Sequence, residues 1–223
     1  MTNVSGTIEK KATRRGLFAF AVKALEDDGW KVSRVLRGGK ASLRLITKGG
    51  KSHKVSIRTS QDTWIAFPRK SDGKGWVTLD DVDYVIAASV DDRHNPTQAR
   101  VHMVPGDDAR ARFERAYDAR KKAGHTLPVG RGIWLSLYDT DAKEPVGHVG
   151  AGMGIDYGTL AVLDLAKGGL PVATELADEE NDVADDDQDA VAVEAPLTIA
   201  EAKRRLATAL GVPESAIKIT VEH

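Results

Sequence analysis

The sequence contains no cysteine, which removes disulfide scaffolds, thiolate zinc sites, iron–sulfur clusters and cysteine nucleophiles at once. It has no apolar run approaching the about 18 residues that a membrane-spanning helix needs. No secretory leader is legible either: the first residues are polar, carry Lys10, Lys11, Arg14 and Arg15, and lead into no apolar stretch with a small-residue cleavage site. A cytoplasmic protein with no membrane partner is the expectation. No Gly-x-Ser-x-Gly elbow or serine triad is present, and His53, His94, His102, His125 and His148 share no metal-ligand spacing. What remains is a chain of 223 residues, 41% hydrophobic and 29% charged, of a size for one ordinary domain with a small appendage.

The net charge of -1 is a sum of unlike parts. Residues 1–174 carry 28 Lys and Arg against 20 Asp and Glu, and residues 1–78 hold 17 bases against 6 acids. Residues 175–196 carry ten acids and no base. A basic body of this kind attracts polyanions, with an ordinary solvated surface as the alternative. The acid-dense, aperiodic stretch 175–196 reads as a disordered linker. Beyond it, Thr198-Ile199-Ala200-Glu201 forms a capping box opening a helix to Leu210, and Ile217, Ile219 and Val221 alternate as a strand. The expected organisation is a body over 1–174, a linker over 175–196 and a small α-β docking or dimerisation unit over 197–223.

Within the body, Phe18, Ala21, Val22 and Leu25 recur at helical spacing and predict a helix from Thr13 to Asp28, stopped by Gly29. Strand-like runs follow at 30–36, 41–47 and 54–58, separated by Gly38-Gly39 and Gly49-Gly50, the signature of an antiparallel meander. A fourth run, 63–67, ends at Pro68. The continuous apolar run Tyr84–Val90 suits a central strand buried on both faces. A strand at 100–104, a helix at 107–123, a strand at 133–138 and a short helix at 160–165 complete the reading. The glycines of Gly150-Ala151-Gly152-Met153-Gly154 lack the Gly-Lys-Ser/Thr ending of a phosphate loop and suit a tightly turning or flexible segment.

The order helix, three-strand meander, buried strand, helix, strand over residues 13–138 resembles the core of the PD-(D/E)xK nuclease superfamily. Gly16-Leu17-Phe18-Ala19-Phe20 is similar to its helix motif, Ser42-Leu43-Arg44-Leu45 sits where its aspartate strand lies, and Ser56-Ile57-Arg58-Thr59-Ser60 looks like its final motif. Trp64-Ile65-Ala66-Phe67 and Val82-Asp83-Tyr84-Val85 are similar in kind to further segments of such enzymes. The resemblance implies an α/β fold, a restriction-endonuclease-like mixed sheet flanked by helices. It also implies chemistry in which two acids hold Mg²⁺ and a lysine places the nucleophile. Here the matched positions are Phe20, Ser42, Ser56 and Arg58, which cannot assemble that site. Arg58 can grip a phosphate but cannot act as a base; ordinary solvent-facing strand positions are the alternative for Ser56 and Arg58.

The expected function is therefore a catalytically inactive nuclease-like module binding DNA or RNA, weakly and with sequence tolerance, and needing no cofactor. Arg34, Arg37, Lys40, Lys48, Lys51, Lys54 and Arg58 are its candidate phosphate contacts, with His53 beside them. Trp64, Phe67 and Trp76 are candidate stacking residues if exposed, and Arg112, Arg115 and Lys122 give the second helix a basic face. Two other classes stay open. One is a Mg²⁺-dependent endonuclease whose carboxylates have migrated to Asp80 and Asp83, residues that turn formation and capping also explain. The other is a regulatory protein-interaction module of phage or bacterial kind, with a protein partner or homodimer formed through 197–223.

Overall fold

The computed structural model describes residues 8–35, 42–92, 94–127 and 132–171, together with Ala216. The chain divides into two compact units, Met1–Ala190 and Val191–His223, and every element below belongs to the first. The linker expected at 175–196 and the α-β unit expected at 197–223 lie outside the described residues, as do Arg37, Lys40 and the turn at Gly38-Gly39.

The body is α/β, a mixed six-stranded sheet with a second small sheet and a few flanking helices. Helix α1 (Ile8–Asp27) starts a turn and a half before the expected Thr13 and buries Leu17, Phe18, Ala21, Val22 and Leu25. Gly29, at φ 85°, closes it, and the next amide, Trp30 N–H, returns to the Leu25 carbonyl. Strands β1 (Lys31–Arg34), β2 (Leu43–Lys48) and β3 (Lys51–Ser60) form the expected antiparallel meander. The β2–β3 turn is the two-residue Gly49-Gly50, both at positive φ, the conformation that suits the twist of a tight hairpin.

The fourth run departs from the meander. Strand β4 (Trp64–Pro68) leaves the main sheet and pairs later in the chain, so that β5 (Tyr84–Val90) returns parallel to β3. As its apolar run predicts, β5 is central, with β6 (Gln98–Pro105) antiparallel on its other side. Helix α2 (Gly106–Lys122) follows with Asp107 and Asp108 in its first turn and Arg120, Lys121 and Lys122 in its last, matching the helix dipole. Strand β7 (Gly132–Ser136) pairs antiparallel with β4 to make the second, two-stranded sheet.

The glycine-rich stretch is tightly packed. After a 3-10 turn at Val146–His148, Ala151 and Met153 are fully buried and a single helical turn, α3 (Met153–Asp156), follows. Gly150 is required by contact as well as by its φ of 83°, since a Cβ there would lie 2.6 Å from the Arg112 carbonyl oxygen. The helix expected at 160–165 is instead strand β8 (Thr159–Asp164), paired with β6, and only the turn α4 (Leu165–Gly168) beyond it is helical. Its residues Leu-Ala-Val-Leu fit either state, and the pairing along β6 decides.

The main sheet runs β1-β2-β3-β5-β6-β8, and strand alternation sorts its side chains into two cores. Ile46, Val55, Ile57, Ile86 and Ala88 pack under α1. Leu43, Val85, Ala87 and Val104 pack on the other face with Phe67, Trp76, Leu79, Phe113 and Met153.

Candidate nucleic-acid interface

The β2–β3 register separates the positions matched to the nuclease motif. Ser56 stands opposite Leu43 on one side and Val85 on the other, and Arg58 stands opposite Ala87, so both share the α2 face. Ser42 precedes Leu43 and alternates to the α1 face with Arg44, whose guanidinium lies 4.8 Å over the Phe18 ring. Phe20 is buried in that same α1 layer. Phe20 and Ser42 are therefore on one side of the sheet, Ser56 and Arg58 on the other. The side chain facing Ser56 across the strands is Leu43, so Ser42 is displaced by one residue from the place the resemblance assigned it.

Arg58 must also be struck from the phosphate contacts. It is 5% exposed, its guanidinium sits 4.3 Å over the Phe67 ring, and it donates to the Thr78 hydroxyl. Thr78 holds an unusual positive φ of 63° there. The stacking residues fare similarly: Phe67 and Trp76 are fully buried and Trp64 half-buried, because β4 and its following loop supply the core between β3 and β5.

The basic face expected on α2 is divided: Arg115 and Lys122 are exposed, but Arg112 is turned inward. Arg112 is buried and donates to Asp108 at 2.6 Å, to Asp156 at 2.5 Å and to the Ala151 carbonyl at 2.6 Å, clamping the glycine-rich stretch to the helix. Arg115 pairs with Asp141, and Arg120 donates to the Trp134 and Gly147 carbonyls. Arg69 lies between Trp76 and Tyr117, 4.7 and 4.4 Å from their rings, and forms a two-pronged pair with Glu114. That guanidinium holds the Glu114 carboxyl below its ordinary range. Much of the arginine charge that makes the body basic is thus spent on holding it together.

Asp80 and Asp83 are each engaged at separate turns. Asp80 accepts the Trp76 N–H and pairs with Lys70, while Asp83 accepts the Lys54 N–H at 2.8 Å and lies 3.6 Å from His53 Nδ1. Among the described residues no three metal-ligating side chains come together.

Accessible cations are spread over the body, Lys23, Lys74, Lys122 and Lys143 among them, and one group of them lies on the β1–β2–β3 strands. Pairing of β3 with β5 begins at Val55 and the Lys54 carbonyl still accepts the Asp83 N–H, so Lys51–His53 run on past that contact by about 10 Å at 3.3 Å per residue. Lys51 is exposed beside the turn on the α1 face, while Lys54, half-buried, stands opposite Leu45, an exposed leucine on the face away from α1. Lys31, missed in the sequence, joins them: it is exposed and stands opposite Thr47, on the same face as Lys54. Its signal was its place as the first residue of the strand beside the hairpin. Ser33, Thr47 and Ser52 supply hydroxyls among these lysines. Arg34 is exposed at the other end of β1, on the α1 face with Arg44. Lys48 turns back toward α1, where it donates to the Asp28 carbonyl, lies 3.2 Å from its carboxylate and covers the Trp30 ring at 5.4 Å.

His102 was unremarkable in sequence but is buried and bonded at both nitrogens. Nδ1 is 3.0 Å from the Tyr157 carbonyl, which can only accept, so Nε2 is left to accept from the Tyr138 hydroxyl at 2.9 Å. Burial pushes this imidazole below its usual value, against the backbone contacts from Tyr157 and Gly158. It pins the residues after α3 and after β7 to β6.

Among the described residues no helix is long and apolar enough to cross a membrane. Compared with known proteins, the chain matches no family model, no curated protein and no solved structure.

Proposed function

We propose that this chain is a non-catalytic, nuclease-like module that binds nucleic acid through the lysines of the β2–β3 finger. The observation that carries the reading is the overhang of β3 past β5 together with the β1–β2–β3 register, which sets Lys31 and Lys54 on the sheet face away from α1, with Lys51 exposed at the end of the hairpin on the opposite face. Such cations read charge and not sequence, so binding is weak and sequence-tolerant. Phe20, Ser42 and Ser56 supply no carboxylate at the matched positions, which supports a role without cleavage.

Fluorescence anisotropy against labelled DNA and RNA of mixed sequence tests the reading. Contact of about two phosphates gives a slope of log affinity against log salt of roughly -1.8 on a duplex. The same nucleic acids should survive incubation with Mg²⁺ or Mn²⁺ uncut. Absence of binding at low salt would remove the nucleic-acid role, and metal-dependent cutting abolished by Asp83→Ala would restore the nuclease.

A further inference from the structure

Resting on that reading, we infer that the finger's ligand is double-stranded nucleic acid held by its phosphates, not a single strand held by stacked bases. Proteins that grip single strands combine cations with exposed aromatic rings. The rings near the finger are taken. Trp30 lies under Lys48, meets His53 edge-on, and donates its indole N–H to the Asp28 carboxylate. Tyr84 is packed edge-on against His53. Trp134, 43% exposed, belongs to β7 in the other sheet.

The register fixes the spacing of the cations. Lys54 stands opposite Leu45, which stands opposite Ser33, and Lys31 lies two residues along from Ser33. Two strand spacings across and two residues along place the Lys31 and Lys54 backbones about 12 Å apart. That is close to the ~12 Å width of the major groove of a B-form duplex. A duplex presents two rows of phosphates at such a fixed separation, one for each lysine. A single strand presents one flexible row and its bases, for which the finger has no open ring.

The test is anisotropy on the full chain with a labelled DNA duplex about two helical turns long and with one of its strands alone. With about two phosphates contacted, counterion release differs by ~0.2 per phosphate between duplex and single strand. At about 50 mM salt this predicts a duplex preference of roughly threefold. Lys31→Gln with Lys54→Gln should abolish the preference. Equal or tighter binding of the single strand overturns the inference while leaving the finger's role intact, and a loss of that binding in Trp134→Ala would place the strand on β7. A duplex preference that survives the Lys31 and Lys54 replacements, with unchanged circular dichroism, also overturns it. Failure of both ligands to bind removes the underlying reading and the inference together.

Discussion

Replacing Arg112 by Met separates arginines that build the body from lysines that face a ligand. Arg112 is 8% exposed and makes three charged hydrogen bonds, and the partners it leaves behind differ in what water can do for them. The Asp108 and Asp156 side chains, 31% and 53% exposed, can be rehydrated, so each loss is worth ~1 kcal/mol or less. Ala151 is fully buried, and its carbonyl would keep no partner in place of the guanidinium, costing roughly 1–3 kcal/mol. Methionine retains most of the packing against the helix. The expected loss is therefore about 2–4 kcal/mol, or a fall in Tm of roughly 5–12 °C for a body of this size. Arg115→Met is the control, since its pair with Asp141 is half-exposed on both sides and should cost under ~1 kcal/mol. Thermal melts followed by circular dichroism read both, and neither variant should change polyanion affinity at 20 °C, where the loss is smaller than the about 5–15 kcal/mol that holds a typical domain folded. A Tm for Arg112→Met equal to that of Arg115→Met would refute the clamp, and a drop in affinity in folded Arg115→Met would return α2 to the binding surface.

Gly150→Ala combines a left-handed backbone with a Cβ 2.6 Å from the Arg112 carbonyl, and should cost roughly 2–5 kcal/mol. Gly49→Ala, at φ 58° in open space, should cost only about 1–2 kcal/mol, and equal melts for the two would contradict the close approach. His102 has a folded pKa below its unfolded ~6.5, so the unfolded chain binds the extra proton first. Its contribution is complete above pH ~6.5 and declines as pH falls through that value toward the folded pKa; in His102→Gln the urea midpoint should lose this step. Asp91 runs the same way lower down, its carboxyl brought to about 2 by hydrogen bonds from Thr97 and Gln98 that outweigh burial, so its stabilisation fades between pH ~4 and 2. Removing residues 175–223 takes away the ten acids of 175–196, tethered to a basic body, and should raise polyanion affinity at low salt, as should neutralising those ten to Asn and Gln. Equal affinities for the three chains would reduce the acidic stretch to a spacer.

The elements were legible where local chemistry was decisive. Gly49-Gly50 dictated a tight hairpin, and the unbroken apolar run Tyr84–Val90 dictated a central strand. The stretch 160–165 was misread because a short apolar run fits helix and strand alike, and its pairing with β6 is a contact over some sixty residues that no local signal encodes. The pairing of β4 with β7 is invisible in sequence for the same reason. The candidate site was half legible. Lys51 and Lys54 follow from the hairpin, but Lys31 joins them only through the β1–β2 register. Arg58 and Arg112 counted as surface charge until packing placed Phe67 over one and Asp108, Asp156 and the Ala151 carbonyl around the other. A one-residue question of strand phase moved Ser42 to the opposite face from Ser56, and composition is silent on phase.

The central claim is that the finger's lysines, and not the body's net charge, hold nucleic acid. Its most direct measurement is the salt dependence of duplex affinity for the full chain and for the Lys31→Gln, Lys51→Gln, Lys54→Gln triple variant. The account predicts a slope falling from roughly -1.8 to near zero, with an unchanged far-ultraviolet spectrum. An unaltered slope and affinity in the folded triple variant would contradict it.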